Sequence, residues 1–424
     1  MVGAQSVPHY SEDSHIGVAS CSGSACHGAA EAWKKSNVQQ NEYAIWSRDD
    51  PHSGAYTDLK NDQSRRIAAN LGLENAHEAK LCLDCHTDNV AESKQGYSFQ
   101  LSDGVGCEAC HGGASGWLGT HISADASHEK NLAAGMYPTD EPEARADLCL
   151  SCHFGDSRKF VTHRIMGAGH PRMPFELDTF TATQPAHYTI DADYHRRKQV
   201  YSGVQIWAIG QAKAMIQILD GLLDPQRRRD GMFPELVFYD CHACHESMAR
   251  KDWRRTNLVG LDPGTPRLND ANAVMLVILA EAIEAETGSA LRAQVRGLHA
   301  ASAQGVDKLV AASEQLKQTL TKVVKRFAEH RFGEDDLRSI VLGLTDFSAR
   351  DGGYLDYADA EQATMALSAI LATISQSGLY DAQQIERLNA GLNSCYSVVE
   401  DDDAYSREAF RKAAAQVREA LPGS

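Results

Sequence analysis

Cys107-Glu108-Ala109-Cys110-His111 sets two cysteines three residues apart and closes the pair with a histidine. The same pattern recurs as Cys82, Cys85 and His86, as Cys149, Cys152 and His153, and as Cys241, Cys244 and His245. A fifth copy, Cys21, Cys26 and His27, holds four residues between its cysteines, and the small run Ser22-Gly-Ser-Ala25 can bulge to absorb the excess. C-x-x-C-H is the attachment site of a c-type haem: two thioethers hold the porphyrin and the following imidazole reaches the iron. Zinc knuckles, dithiol switches and disulfide frameworks explain cysteine pairs but not the histidine. Histidine is 18 of 424 residues, so five pairs in five followed by it has a chance probability of roughly one in ten million. Ten of the eleven cysteines are consumed, and the expected cofactor is five covalently attached haems c.

Thioether formation takes place on the exported side of a bacterial membrane, so the expected location is the periplasm or the cell surface. The segment Met1 to Tyr10 has no basic and apolar signal pattern, which reads as a chain with its export signal removed. The most apolar window, Val204 to Leu223, is interrupted by Gln205, Gln211, Lys213, Gln217 and Asp220, so it reads as an amphipathic helix and not a membrane span. A formal net charge of -16 argues against nucleic acid and anionic lipid as partners. It either suits docking to a basic periplasmic redox protein or serves solubility alone.

The expected fold is mainly α, in two parts. Residues 1–200 hold four motifs among Gly, His and Cys with few long periodic stretches, so porphyrin faces must supply the missing apolar surface. Residues 201–424 turn to long helices and carry the fifth motif. Val204 to Leu223 is the first; Asn269 or Asp270 caps a second running to about Glu286. Val306, Leu309, Leu316, Leu320, Val323 and Phe327 mark a bundle helix with polar Ser313 in its seam. Gly352, Gly353 and Gly378 mark breaks. Cys395 aligns with Ile385, Leu388, Leu392 and Val399 as a buried structural thiol, and Asp401 to Asp403 reads as a solvated helix cap ahead of a calcium site. The fifth motif, following the first bundle helix, is expected to pack against helices.

Gly104-Val-Gly-Cys-Glu-Ala-Cys-His-Gly-Gly-Ala-Ser-Gly-Trp-Leu-Gly-Thr-His121, with Leu81-Cys-Leu-Asp-Cys-His-Thr-Asp88 before it and Leu148-Cys-Leu-Ser-Cys-His153 after it, resembles the tetrahaem cytochrome c-554 family. The likeness spans about residues 20–200. It implies closely stacked haems passing single electrons, mostly bis-histidine iron with one haem lacking a sixth protein ligand, and a distant relation to multihaem enzymes acting on small nitrogen or sulfur species. The wide first motif, the fifth motif and the helical C-terminal half depart from that pattern. The resemblance also implies that His121 is the distal ligand of the first haem, and that His52, in Trp46-Ser-Arg-Asp-Asp-Pro-His-Ser-Gly-Ala-Tyr56, is another.

Proximal ligands are His27, His86, His111, His153 and His245. Thirteen other histidines suffice for every iron to be six-coordinate, so counting does not decide. In Thr162-His-Arg-Ile-Met-Gly-Ala-Gly-His-Pro-Arg-Met-Pro-Phe-Glu176, His170 is the first distal candidate and His163 the second, with Met166 and Met173 as alternatives and Arg164 and Arg172 suited to haem propionates. His15, His187 and His195 stay open, while His77, His128, His242, His299 and His330 read as packing or surface residues. The expected function is electron transfer between periplasmic partners, the helical part docking an enzyme or a second copy of the chain. The rival is an oxidoreductase with one five-coordinate haem acting on a small nitrogen or sulfur compound, with His163, Arg164, His187 and Tyr188 as pocket groups. A third reading is a haem-to-haem conducting polymer.

Overall fold

The computed structural model describes residues 6–34, 38–229, 233–245, 261, 266–350, 353, 354 and 356–422. Gly352 and the Glu246 that follows the fifth motif lie outside them. Among these residues the chain is mainly α, with nineteen α-helices and no strand beyond isolated bridges at His15 and Gln95, Gly155 and Phe160, and Tyr239 and Leu268. Among the described residues no helix is long and apolar enough to cross a membrane. Two compact units are present, one of residues 1–175 and 180–200, the other of residues 176–179 and 201–424.

In the first unit the helices are short, from Glu42–Asp49 to Ala192–Arg197. One of its apolar clusters is small: Leu59, Ala68, Ala76 and Leu83 pack together with Tyr56, Leu73, Cys82 and Leu101 around them. Burial of that size contributes little against the entropy of ordering so long a stretch of chain. Loops are tied instead by polar side chains. Glu108, buried between two cysteines, accepts from the backbone N–H groups of Ile16 (2.8 Å), Gly17 (2.7 Å) and Ala114 (2.7 Å). Gly113 lets the chain pass this point, since a Cβ there would sit 2.8 Å from the Asp13 carbonyl oxygen.

The second unit is a conventional helical bundle. Helix Gly203–Leu223 opens on a capping box from Ser202 and Gln205, buries Trp207, Ile209, Met215, Leu219 and Leu222, and packs on Val306–Glu329. The latter presents Leu309, Leu316, Leu320, Val323 and Phe327 as one buried stripe, with Ser313 buried in the seam. The helix expected to about Glu286 is present as Ala271–Ile283, ending where Glu284 leaves helical geometry, and a further helix, Ala285–Ser302, follows it. Gly288 permits the turn: a Cβ there would lie 2.6 Å from the Glu281 backbone nitrogen. Asp270 sits at the N-cap of Ala271–Ile283 without making the capping bond; its carboxylate turns inward. Cys395 is buried with Leu388 and Leu392, and burial pushes its thiol up to about 12. The last helix, Arg407–Ala420, is capped by Ser406 and not by the exposed Asp401–Asp403 run.

Candidate haem sites

Three motifs lie on helices, Lys80–His86, Cys107–His111 and Pro142–His153. Helical winding puts residues i, i+3 and i+4 on one face, so both thiols and the imidazole project together. The fifth lies on the 3-10 turn Cys241–Ala243, closed by the His245 N–H donating to the Cys241 carbonyl at 2.8 Å. The wide motif reaches the same closure by looping out its extra residues. The Cys26 and Gly28 N–H groups both fold back on the Gly23 carbonyl, and the His27 N–H donates to the Cys21 carbonyl at 3.2 Å. No disulfide is formed among the described cysteines.

Each of the four motif histidines of the first unit faces one other imidazole. Ring centroids are 5.9 Å apart for His27 and His121, 6.5 Å for His86 and His170, 6.2 Å for His111 and His187, and 6.2 Å for His153 and His52. Two imidazoles sharing one metal through bonds of about 2.0 Å place their centroids about 6 Å apart, so the spacing fits an iron between each pair. The first pair is near parallel, at 18°, and the other three near perpendicular, at 81°, 84° and 89°.

The hydrogen bonds at Nδ1 fit the same role, because an acceptor at Nδ1 fixes the tautomer that leaves Nε2 for metal. Nδ1 of His27 meets Glu42 Oε2 at 3.0 Å, that of His52 meets Asp50 Oδ1 at 2.9 Å, that of His86 meets the Ala55 carbonyl at 3.1 Å, and that of His170 meets the Pro171 carbonyl at 2.8 Å. Burial opposes ionisation of Asp50, yet hydrogen bonds from His52 and Gln184 hold its carboxyl down at about 2. Burial pulls His111 down to about 4 and also lowers His121, His153 and His170, favouring the neutral ring that a metal requires.

The attachment thiols also neighbour one another. Cys21 meets Cys107, and Cys85 meets Cys152, while Cys110 lies in the field of Cys149 and Cys152. The first site therefore adjoins the third, the third the fourth, and the fourth the second.

His15 and His163 are not in these ring pairs. His15 is fully buried with Nδ1 2.6 Å from Asp88 Oδ2 and no partner at Nε2; His163 opens the helix His163–Gly167. Of the other two rival pocket groups, Tyr188 meets the His187 ring edge-on at 6.0 Å and stacks on Tyr194, while Arg164 reaches the Leu71 carbonyl. Sequence reasoning passed over His9, whose two ring nitrogens are buried without partners, and Lys159, buried with Nζ 2.9 Å from the Asp84 carbonyl and 3.0 Å from Cys152 Sγ. Neither stands in a motif, so nothing local marks them.

In the second unit Cys241, Cys244 and His245 are exposed, where packing against helices was expected. The turn is held by its base instead: Asp240 accepts from the His242 N–H at 3.1 Å, and its own N–H donates to the Arg267 carbonyl at 2.9 Å.

Residues 20–112 match the family described as cytochrome c554 and c-prime. The chain is 29% identical over 184 residues to cytochrome c-554 of Nitrosomonas europaea, a match that covers 40% of this chain and 67% of that protein. No solved structure matches the chain. With its repeated attachment motifs, the chain is therefore a multihaem, cytochrome c-554-like protein.

Proposed function

We propose that the chain is an exported pentahaem cytochrome c that passes single electrons between periplasmic redox partners. Covalently held haem iron supplies the one-electron change. The polypeptide would hold each of the first four irons between two imidazoles, a strong-field set that suits one-electron transfer with little rearrangement. The observation that carries the reading is the four facing pairs: His27 with His121, His86 with His170, His111 with His187, and His153 with His52. Carboxylates at Glu42 and Asp50 orient the rings and raise their basicity as ligands. Cysteine adjacency supports an electron path through the sites in the order first, third, fourth, second. The net charge of -16 suits a partner with a basic docking face.

The same pairs weigh against the oxidoreductase reading for the first four sites, since His187, one of its pocket groups, is directed at His111. Electron paramagnetic resonance of the oxidised holoprotein, repeated on the reduced form with nitric oxide, tests this. Low-spin signals from four haems that form no nitrosyl adduct are expected; an open haem among those four that binds nitric oxide would overturn the assignment. Intact-protein mass counts the haems.

A further inference from the structure

Directly behind the fifth attachment turn lies a set of charges out of balance. Arg267 lies among four aspartates: Asp270 three residues on in its own segment, Asp240 at the base of the attachment turn, and Asp356 and Asp359 together at the start of the helix Tyr357–Ser377. Its Nε is 3.1 Å from Asp270, one Nη is 3.1 Å from Asp359, and the other contacts Asp356 and lies 3.7 Å from Asp240. His299 stands beside them, its Nε2 3.4 Å from Asp270. All six side chains are buried. Both Asp270 oxygens, Asp359 Oδ1 and His299 Nε2 lack a hydrogen-bond partner. His242, with Nδ1 3.8 Å from Asp240, and the tyrosines Tyr354 and Tyr405 are further titratable groups around it.

One guanidinium cannot neutralise four buried carboxylates, and a surplus of charge at low dielectric is relieved by binding protons. We propose that this cluster is a proton site coupled to the fifth haem. When a donor protein delivers one electron there, a carboxylate of the Asp356 and Asp359 pair takes one proton from solvent, and oxidation returns both. The link is short in the chain, because Asp240 belongs to the cluster and is bonded to Cys241. Asp359 Oδ1 is the atom left open to receive the proton. Burial drives Asp356 upward and lifts Asp359 to about 7, so the exchange falls near neutral pH. Asp240, engaged by His242 and Arg267, stays ionised.

The inference rests on the pentahaem reading, and the test separates the two. Intact mass of the holoprotein should show five haems, falling to four in C241A/C244A; four in the parent chain overturns the reading and the proposal together. Spectroelectrochemical titration of the full-chain holoprotein from pH 6 to 8 should then show that the component missing from C241A/C244A shifts to lower potential as pH rises. Asp359→Asn should abolish that slope and leave the others. With five haems present, a pH-independent fifth component, or an unchanged slope in the variant, overturns the coupling alone. Should Asp359→Asn fail to fold, infrared difference spectra of the parent holoprotein decide: a carboxylic C=O band gained on reduction supports the site, and its absence sinks it.

Discussion

His52 and His153 stand at right angles with ring centroids 6.2 Å apart, one from the helix Pro51–Asp58 and the other from the end of Pro142–His153. Their approach joins segments with no relation in sequence. Replacing His52 with Ala should convert one haem equivalent from low to high spin and give it affinity for carbon monoxide when reduced. A spectrum that stays wholly low spin would show that His52 is not the ligand.

Glu42 bears on the first haem through His27 Nδ1, at 3.0 Å. A carboxylate there stabilises the oxidised iron, so Glu42→Gln should raise that haem's potential by about 40 mV, the equivalent of about 1 kcal/mol lost from one charge-assisted hydrogen bond. Redox titration of the variant checks the sign and the size.

Glu108 holds three backbone N–H groups from two segments. Glu108→Ala leaves buried donors unsatisfied and should cost about 2–4 kcal/mol, measured as the guanidinium midpoint of the holoprotein. The loss should be accompanied by disturbance at the first and third haems, because Gly17 leads into Cys21 and Glu108 lies between Cys107 and Cys110.

Asp140 ties His128 (2.9 Å) to Lys198 (3.5 Å). Burial would raise its carboxyl, but the His128 hydrogen bond and the Lys198 charge more than offset that and hold it at about 2, below the ordinary 3.8. A depressed carboxylate stabilises the fold above its unfolded value and loses that contribution as pH falls through the folded one. Asp140→Asn should therefore cost about 1–2 kcal/mol at pH 7, the gap to the parent closing between pH 4 and 2. A pH-independent difference would mean that charge is not the cause.

The local parts of the sites were readable from sequence because C-x-x-C-H spans about one helical turn and Ser22 to Ala25 absorb the excess of the wide motif, whereas the hold of Glu108 on Ile16 and Gly17 is long-range and was not. Helices Gly203–Leu223 and Val306–Glu329 were readable from apolar spacing. Distal partners are a different matter: His15 and His187 look equivalent along the chain, and only long-range folding sets His187 against His111 and His15 against Asp88. The helix Ala285–Ser302 went unread because the stretch Glu284-Ala-Glu-Thr-Gly288 interrupts the apolar pattern ahead of it. The Arg267 cluster was invisible, since its members are scattered single residues gathered by the bundle.

The ring pairs also set a timetable. A secreted chain emerges with its N-terminus first, and three of the four pairs place the distal histidine after the attachment motif: His121 after His27, His170 after His86, His187 after His111. On the proposed ligand set, each of those three distal imidazoles follows its motif, so a haem attached as its motif emerged would wait for its second ligand. His153 alone finds its partner, His52, already delivered. His187 is the last of the four distal residues in the chain, so on the proposed assignment the third site would be the last of the four to be completed.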